Sequence, residues 1–358
     1  MRLGELGWDD ERAQQFAAYS GKADVRPGRV AIEFNHNYRV YVDGDEIEAV
    51  AAGRLKHQAE SRSDLPAVGD WVAVRKRPDE DRGSIQAILP RRSRFSRKAA
   101  GNVTDEQVVA ANIDVVFLVM GLDNDFNVRR MERYVLLARD SGASPVILLT
   151  KPDLAADVAA RVADLSGTAA DLPVHVLSPK LNEGMEQVRA YLRVGLTGAL
   201  LGSSGVGKST IINRLVGFDL RKTREVRESD SRGRHTTTHR ELVKLPDGGL
   251  IVDTPGMREL QLWDVGEAVR ETFEDIEALA AACHFTDCRH REEPRCAVKA
   301  AVAEGRLSAS RLESYHKLQD ELVHLATQRD ERARLEEKRQ SKVMNTALRA
   351  RLKEKGRK

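Results

Sequence analysis

Residues 202–210 read Gly202-Ser203-Ser204-Gly205-Val206-Gly207-Lys208-Ser209-Thr210. This is a glycine-rich loop with the spacing that turns backbone N–H groups inward around phosphate oxygens. In such a loop Lys208 reaches the terminal phosphates and the Ser209 hydroxyl ligates Mg²⁺. The flanks agree: residues 197–201 form a short apolar run suited to a strand, and residues 210–215 open a helix. The helix N-terminus adds favourable partial charge. A chance Gly/Ser-rich turn would have no reason to sit between those two neighbours.

Upstream, Thr150-Lys151-Pro152-Asp153 follows residues 144–149, a run that reads as a buried parallel strand. A carboxylate at Asp153 accepts two hydrogen bonds from the N1 and N2 edge of guanine, which adenine does not offer, and the Lys151 stem suits the face of the base. Asn is the usual first residue of such a motif. The Thr150 hydroxyl keeps a tie to the phosphate loop and loses the second contact of an amide. Further on, Ser178 with Pro179 and Lys180 resembles a last guanine-contacting loop, usually Ser-Ala-Lys.

Downstream, residues 249–253 form a second apolar run ending in a carboxylate, and Asp253-Thr254-Pro255-Gly256 has the form of a metal and γ-phosphate motif. Between it and the phosphate loop, residues 232–240 carry His235, Thr236 and Thr237. Thr237 is assigned as the second Mg²⁺ hydroxyl, ordered when a γ-phosphate is present, with Thr236 as the alternative. Met257 stands where many GTPases carry the Gln that orients water, and a thioether cannot do that. His235 is the nearest candidate for that work. The expected catalytic set is therefore Lys208, His235, Thr237, Asp253 and Gly256. An ordinary G domain begins with its phosphate loop and ends with its base motif. Here the order is rotated, so the chain reads as a circularly permuted GTPase whose sheet order in space is unchanged.

All three cysteines fall in residues 283–296, as Cys283, Cys288 and Cys296, with His290 among them. Three thiolates and one imidazole make a closed tetrahedral set, the pattern of structural rather than catalytic Zn²⁺. His290 is the better fourth ligand, because His284 directly follows Cys283 and would point away. Helical periodicity surrounds the cluster: Val269, Phe273, Ile276 and Ala280 before it; then a capping box Ser310 to Glu313 and a face of Leu312, Tyr315, Leu318, Leu322 and Leu325.

The first hundred residues are different. Residues 30–34 and 38–42 alternate like half-buried strands, Asp43-Gly44 turns the chain, and residues 47–55, 66–74 and 84–89 supply three more. Five short strands predict a small closed barrel, of OB type before SH3-like. Residues 1–24 read as a helical extension, and residues 91–98 as a basic linker suited to RNA phosphates. At the other end, residues 328–358 carry twelve Lys/Arg against five Asp/Glu, an exposed arm or disordered tail. The chain as a whole has a net charge of only +3, so clustering of charge matters more than its sign. No stretch is apolar enough to span a membrane and the N-terminus has no signal character, which points to the cytoplasm.

Taken together, residues 150–153, 202–210, 233–238 and 253–256 with Cys283, Cys288, His290 and Cys296 resemble the ribosome small subunit-dependent GTPase A family, over nearly the whole chain. The resemblance implies an α/β fold: a circularly permuted P-loop G domain between an N-terminal OB-type β-barrel and a C-terminal helical zinc-binding domain. The expected division is 1–24 extension, 25–98 barrel, 99–262 GTPase, 263–327 zinc domain and 328–358 tail. It also implies GTP and GDP as ligands, Mg²⁺, one structural zinc per chain, and action in late maturation of the small ribosomal subunit. That subunit and its rRNA are the implied partners, and stimulation of GTP hydrolysis by the subunit is implied with them. A monomer without membrane contact is expected. Two other readings compete: a P-loop ATPase or kinase, opposed by Asp153 and Lys151, and an RNA-binding module with a vestigial nucleotide site, opposed by intact Lys208, Ser209, Thr237 and Asp253.

Overall fold

The structure, a computed structural model, describes residues 1–22, 24–34, 36–76, 82–98, 106–169, 171–218, 240–253, 272–320, 323 and 327. Five strands open the chain: β1 Val25–Phe34, β2 Asn37–Val42, β3 Asp45–Ala51, β4 Trp71–Lys76 and β5 Arg82–Ile88. Alternation drives them. In β2, Tyr38, Val40 and Val42 are buried while Asn37 and Arg39 face out, and Gly44 takes the left-handed φ of 73° that the tight turn into β3 needs. Pairing runs β1-β2-β3-β5-β4 and back to β1, with β3·β5 the one parallel pair of the circuit. That closed circuit is the OB barrel, and it encloses Val30, Val40, Ile47, Val72, Val74 and Ile85.

Two expectations change here. The third strand stops at Ala51 rather than residue 55, and Gly53–Gln58 is a helix. Strand alternation fails after Ala51, and Leu55 still packs against the barrel core from the helix. The basic run 91–98 is not a free linker. Arg94–Lys98 is strand β6, paired with β7 (Glu106–Ala111), while Arg91 bonds Asp70 at 2.8 and 2.7 Å and donates to the carbonyls of Ser63 and Leu65.

The remaining strands are β8 Val115–Gly121, β9 Ser144–Thr150, β10 Val174–Leu177, β11 Thr197–Gly202, β12 Arg240–Lys244 and β13 Leu250–Asp253. They lie in the order β10-β9-β8-β11-β13-β12, parallel except for β12. Counted from β11, the strand before the phosphate loop, and continued through β13 to β8, the order across the sheet is 2-3-1-4-5-6. The neighbours β11 and β8 are thus the point where chain order reverses, and ligands of open α/β sheets bind at such a point, outside the carboxyl ends of the strands. Every residue of β8 is buried, as a central parallel strand requires. The helices Met185–Ala190 and Lys208–Val216 cover the sheet through Met185, Val188, Ile211 and Leu215.

Barrel and nucleotide domain form one compact unit. Strand β1 pairs with β12 as well as with its barrel neighbours, joining Glu33 to Arg240 and Ile32 to Glu241, so barrel and G-domain strands make one continuous sheet. Arg29, fully buried, donates to the carbonyls of Leu6, Gly69 and Asn112, and Trp71 stacks beneath it. Three segments distant in sequence are thereby tied to one guanidinium. The helix Asp10–Ser20, capped by Asp9, packs Phe16 beside Trp8, and Trp8 lies on Trp71.

The second unit runs from Phe273 onward. Helices Glu274–Ala280 and Ala297–Ala303, with helical residues 309–320, bury Phe273, Ile276, Val298, Leu312 and Tyr315. Arg311 sits over the Phe273 ring and bonds Asp275 at 3.0 Å. The cap of the last helix is Ser308, whose Oγ accepts from Arg311 N at 3.1 Å, two residues before the expected Ser310. Val269, Leu322, Leu325 and the tail 328–358 lie outside the described residues.

Candidate functional site

Five strand ends of one parallel sheet converge on the same edge. Strand β11 ends at Gly202 and leads into the phosphate loop, β9 ends at Thr150, and β10 ends one residue before Ser178. Strand β8 ends at Gly121, and β13 ends at Asp253. The phosphate loop is built on glycine. A Cβ on Gly202 would stand 2.3 Å from the Val119 carbonyl oxygen, while Gly205 and Gly207 hold φ of 79° and 103°. Gly207 starts the helix Lys208–Val216, and Val206 is buried beneath the loop. The Lys208 ammonium donates to the Gly202 carbonyl at 2.6 Å and to that of Ser203, folded over the loop where phosphates would lie. Ser203, Ser204, Gly205, Gly207, Ser209 and Thr210 all keep solvent access.

The base motif is tied to this loop. Thr150, buried to 1% exposure, donates its hydroxyl to the Val206 carbonyl at 2.6 Å. That is the contact expected of a hydroxyl in place of an amide. Lys151 adopts a left-handed backbone (φ 58°), and its ammonium bonds Asp123 at 2.6 Å. The hydrogen bond from Lys151 holds the Asp123 carboxyl below its ordinary range. Pro152–Leu154 is a 3₁₀ turn that leaves Asp153 exposed. Ser178 is buried, and the next two carbonyls, of Pro179 and Lys180, accept from Arg214 at 3.0 and 2.9 Å. Arg214 belongs to the helix that follows the phosphate loop, so that helix braces both ends of the site.

Sequence reasoning missed five groups around the site. Asp123 lies two residues beyond the end of β8, and the strand-end rule alone could have flagged it. Arg130 bonds Asp125 at 2.7 and 2.8 Å and reaches the Ser203 hydroxyl, with the Tyr134 hydroxyl 3.4 Å from the same oxygen. Arg214 has no local signature. His235, Thr236, Thr237 and Gly256 lie outside the described residues. Ser209, in the helix after β11, and Asp253, at the end of the neighbouring strand β13, carry the hard oxygen donors that suit Mg²⁺.

The second cluster is the expected one. One ligand atom from each of Cys283, Cys288, His290 and Cys296 lies within 4.8 Å of every other. Cys283 Sγ is 3.9 Å from Cys296 Sγ and 3.6 Å from His290 Nδ1, and His290 Nδ1 is 3.4 Å from Cys296 Sγ. A tetrahedron with zinc–sulfur bonds of about 2.3 Å and zinc–nitrogen bonds of about 2.05 Å has edges of about 3.8 and 3.6 Å. The four donors therefore fit zinc in number, chemistry and spacing. His290 holds a left-handed φ of 60° that turns its ring inward, whereas His284 stacks edge-on against Phe285. Burial keeps the His290 imidazole below its ordinary value, the neutral form a ligand requires.

A family model described as RsgA GTPase matches residues 88–263, and one described as 50S ribosome-binding GTPase matches residues 197–335. The curated small ribosomal subunit biogenesis GTPase RsgA of Opitutus terrae is 48% identical over 339 residues, which is 92% of each chain. Of solved structures, YjeQ from Thermotoga maritima aligns with a TM-score of 0.61 and 28% identity, over 84% of this chain and 99% of that one. YloQ, described as a circularly permuted GTPase, aligns with a TM-score of 0.58 and 24% identity over 86% and 98%, a likeness of fold.

Proposed function

The chain belongs to the RsgA family of small ribosomal subunit biogenesis GTPases and is a GTP hydrolase, and on that premise we propose that it monitors a late step of small-subunit assembly by coupling nucleotide state to rRNA contact. The observation that carries this reading is the Thr150 hydroxyl on the Val206 carbonyl, which makes a guanine-reading loop and a phosphate-binding loop one rigid site despite their reversed order in the chain. Thr150, Lys151, Pro152, Asp153 and Ser178 take the base side. Asp153 selects guanine, and Gly202 through Thr210 cradle the phosphates. Lys208 exchanges its loop carbonyls for β- and γ-phosphate oxygens, a trade of neutral partners for charged ones.

Mg²⁺, held by Ser209 and Thr237 with Asp253 acting through water, would supply charge neutralisation on the phosphates. His235 aligns the attacking water and Gly256 senses the γ-phosphate. Cys283, Cys288, His290 and Cys296 would hold zinc, which would stabilise the fold of the C-terminal segment. The division of labour follows the boundaries 1–24, 25–98, 99–262, 263–327 and 328–358, with barrel and zinc domain touching rRNA and the basic tail adding phosphate contacts. No described helix is long and apolar enough to cross a membrane. The chain is read as a monomer working in the cytoplasm.

The small subunit is taken as partner because a relative matched over 92% of each chain bears its name. The model named for 50S binding begins only at residue 197, where an unpermuted G domain would begin. A vestigial nucleotide site is disfavoured by the intact loop geometry. The test is affinity for purified small subunits in two nucleotide states. Tighter binding with a non-hydrolysable GTP analogue than with GDP is expected, and equal affinities would sink the coupling.

A further inference from the structure

Within the first unit, a cleft of about 960 Å³ opens between the barrel and the carboxyl end of the helix Val128–Ser141. Its barrel wall is made by the helix Gly53–Gln58 and the end of β5, and residues 139–142 supply the G-domain side. Among the described residues, neither β2 nor β3 lines it. This is therefore not the strand face with which OB barrels generally hold nucleic acid. The cations in the cleft sort into two kinds. Arg91, Arg92 and Arg139 are engaged in ion pairs with Asp70, with Asp9 and Glu11, and with Asp171 respectively. They hold the walls together. Lys22, Arg54 and Arg94 stand exposed at the cleft, and Arg94 has only a loose pair with Glu106 at 3.9 Å. Of the acidic lining residues, Asp64 is occupied in accepting the backbone N–H groups of Glu60 and Ser61.

One aromatic completes the arrangement. The Lys22 ammonium lies 5.2 Å from the centre of the Tyr19 ring, and both line the cleft. A walled groove with exposed cations and an aromatic beside a cation is the combination that binds single strands without strict sequence demands.

We infer that this cleft is a second RNA-contact site, taking a few nucleotides of single-stranded RNA with phosphates on Lys22, Arg54 and Arg94 and a base against Tyr19. The inference rests on the ribosomal subunit being the partner. It adds a contact that spans both halves of the unit, since one wall is barrel and the other is the carboxyl end of the helix whose first turn holds Ser203 through Arg130. RNA seated there touches the element that steadies the phosphate loop.

The test uses the full chain carrying a GTP analogue, with two probes: purified small subunits and deproteinised small-subunit rRNA, each titrated across a range of salt. Replacing Lys22→Gln and Arg54→Gln together removes two counterion-releasing contacts, so the slope of log affinity against log salt should fall by about 1.4 on single-stranded RNA. Affinity for both probes should drop severalfold while intrinsic GTP turnover and thermal midpoint stay at the parent values. Lys56→Gln takes a charge from the same helix outside the cleft and should leave the slope unchanged. An unaltered slope in the double variant, an equal loss in Lys56→Gln, or a loss confined to whole subunits with rRNA binding intact would each overturn the assignment. A parent protein that binds neither probe would instead overturn the choice of partner.

Discussion

Arg240 and Glu33 form an ion pair at 3.1 Å, with side chains only 10% and 17% exposed, across the joint between β12 and barrel strand β1. Arg240 opens the strand that follows residues 219–239, the segment carrying His235 and Thr237, and Glu33 belongs to the barrel. The strand leaving the candidate switch segment is thus paired to the barrel by backbone and by charge. Burial raises the Glu33 carboxyl above its ordinary value against the pull of Arg240, and burial likewise lowers the Arg240 guanidinium. Desolvation outweighs attraction at this joint.

The sign of that shift makes a pH prediction. A carboxyl whose folded value is raised contributes stability at low pH and loses the contribution as pH climbs through the folded value. Glu33→Gln stays neutral throughout. Its stability relative to the parent, measured by urea unfolding at a series of pH values, should therefore improve as pH rises from the ordinary carboxyl value of 4.5 toward neutrality. A relative loss over the same interval would mean that attraction to Arg240 dominates.

Thr150→Val removes the donor to Val206 and leaves a buried carbonyl unsatisfied. Such groups cost about 1–3 kcal/mol of folding stability, and with the two loops no longer tied GTP affinity should weaken as well, with little change in the apolar core. Asp153→Asn should act differently, weakening GTP and favouring xanthosine nucleotides, whose added carbonyl prefers a donor. Competition binding with GTP, xanthosine triphosphate and ATP separates the two. Unchanged GTP affinity in Asp153→Asn would show that this carboxylate does not face the base.

Gly202→Ala forces a methyl to within 2.3 Å of the Val119 carbonyl, a backbone atom of the central strand. The phosphate loop or β8 must then shift. Nucleotide binding should be lost, and turnover with it, as in Lys208→Ala. A Gly202→Ala protein with parent affinity for GTP would contradict the close approach of β11 and β8.

Removing metal should unfold the second unit only. Apparent zinc energies of about 10–16 kcal/mol in small sites exceed what a core of this size supplies. Cys288→Ser is expected to lose the metal, by elemental analysis, and to make residues from Phe273 onward protease-sensitive while GTP binding survives. A metal-free protein with both units protease-resistant would rule this out.

Much of this was legible in the sequence because the motifs carry their own geometry. Gly202 to Thr210 needs a strand before it and a helix after it, and three cysteines with His290 need one centre. What stayed hidden depends on contacts between distant segments. Nothing local to Arg91 says that it neutralises buried Asp70, and nothing near Arg29 says that it gathers the carbonyls of Leu6, Gly69 and Asn112. The pairing of β1 with β12 was invisible for the same reason: both strands alternate for their own sheets, and neither signals a second partner. The early end of β3 was missed because Gly53 to Gln58 is too short for a helical period to emerge.

The most direct measurement is GTP turnover by the full chain with and without purified small ribosomal subunits, for the parent and for His235→Ala. With Met257 in place of a water-orienting Gln, the parent alone should turn over slowly and accelerate strongly when subunits are added, and His235→Ala should bind subunits in the GTP-analogue state yet show little acceleration. A parent rate indifferent to the subunit would contradict the account.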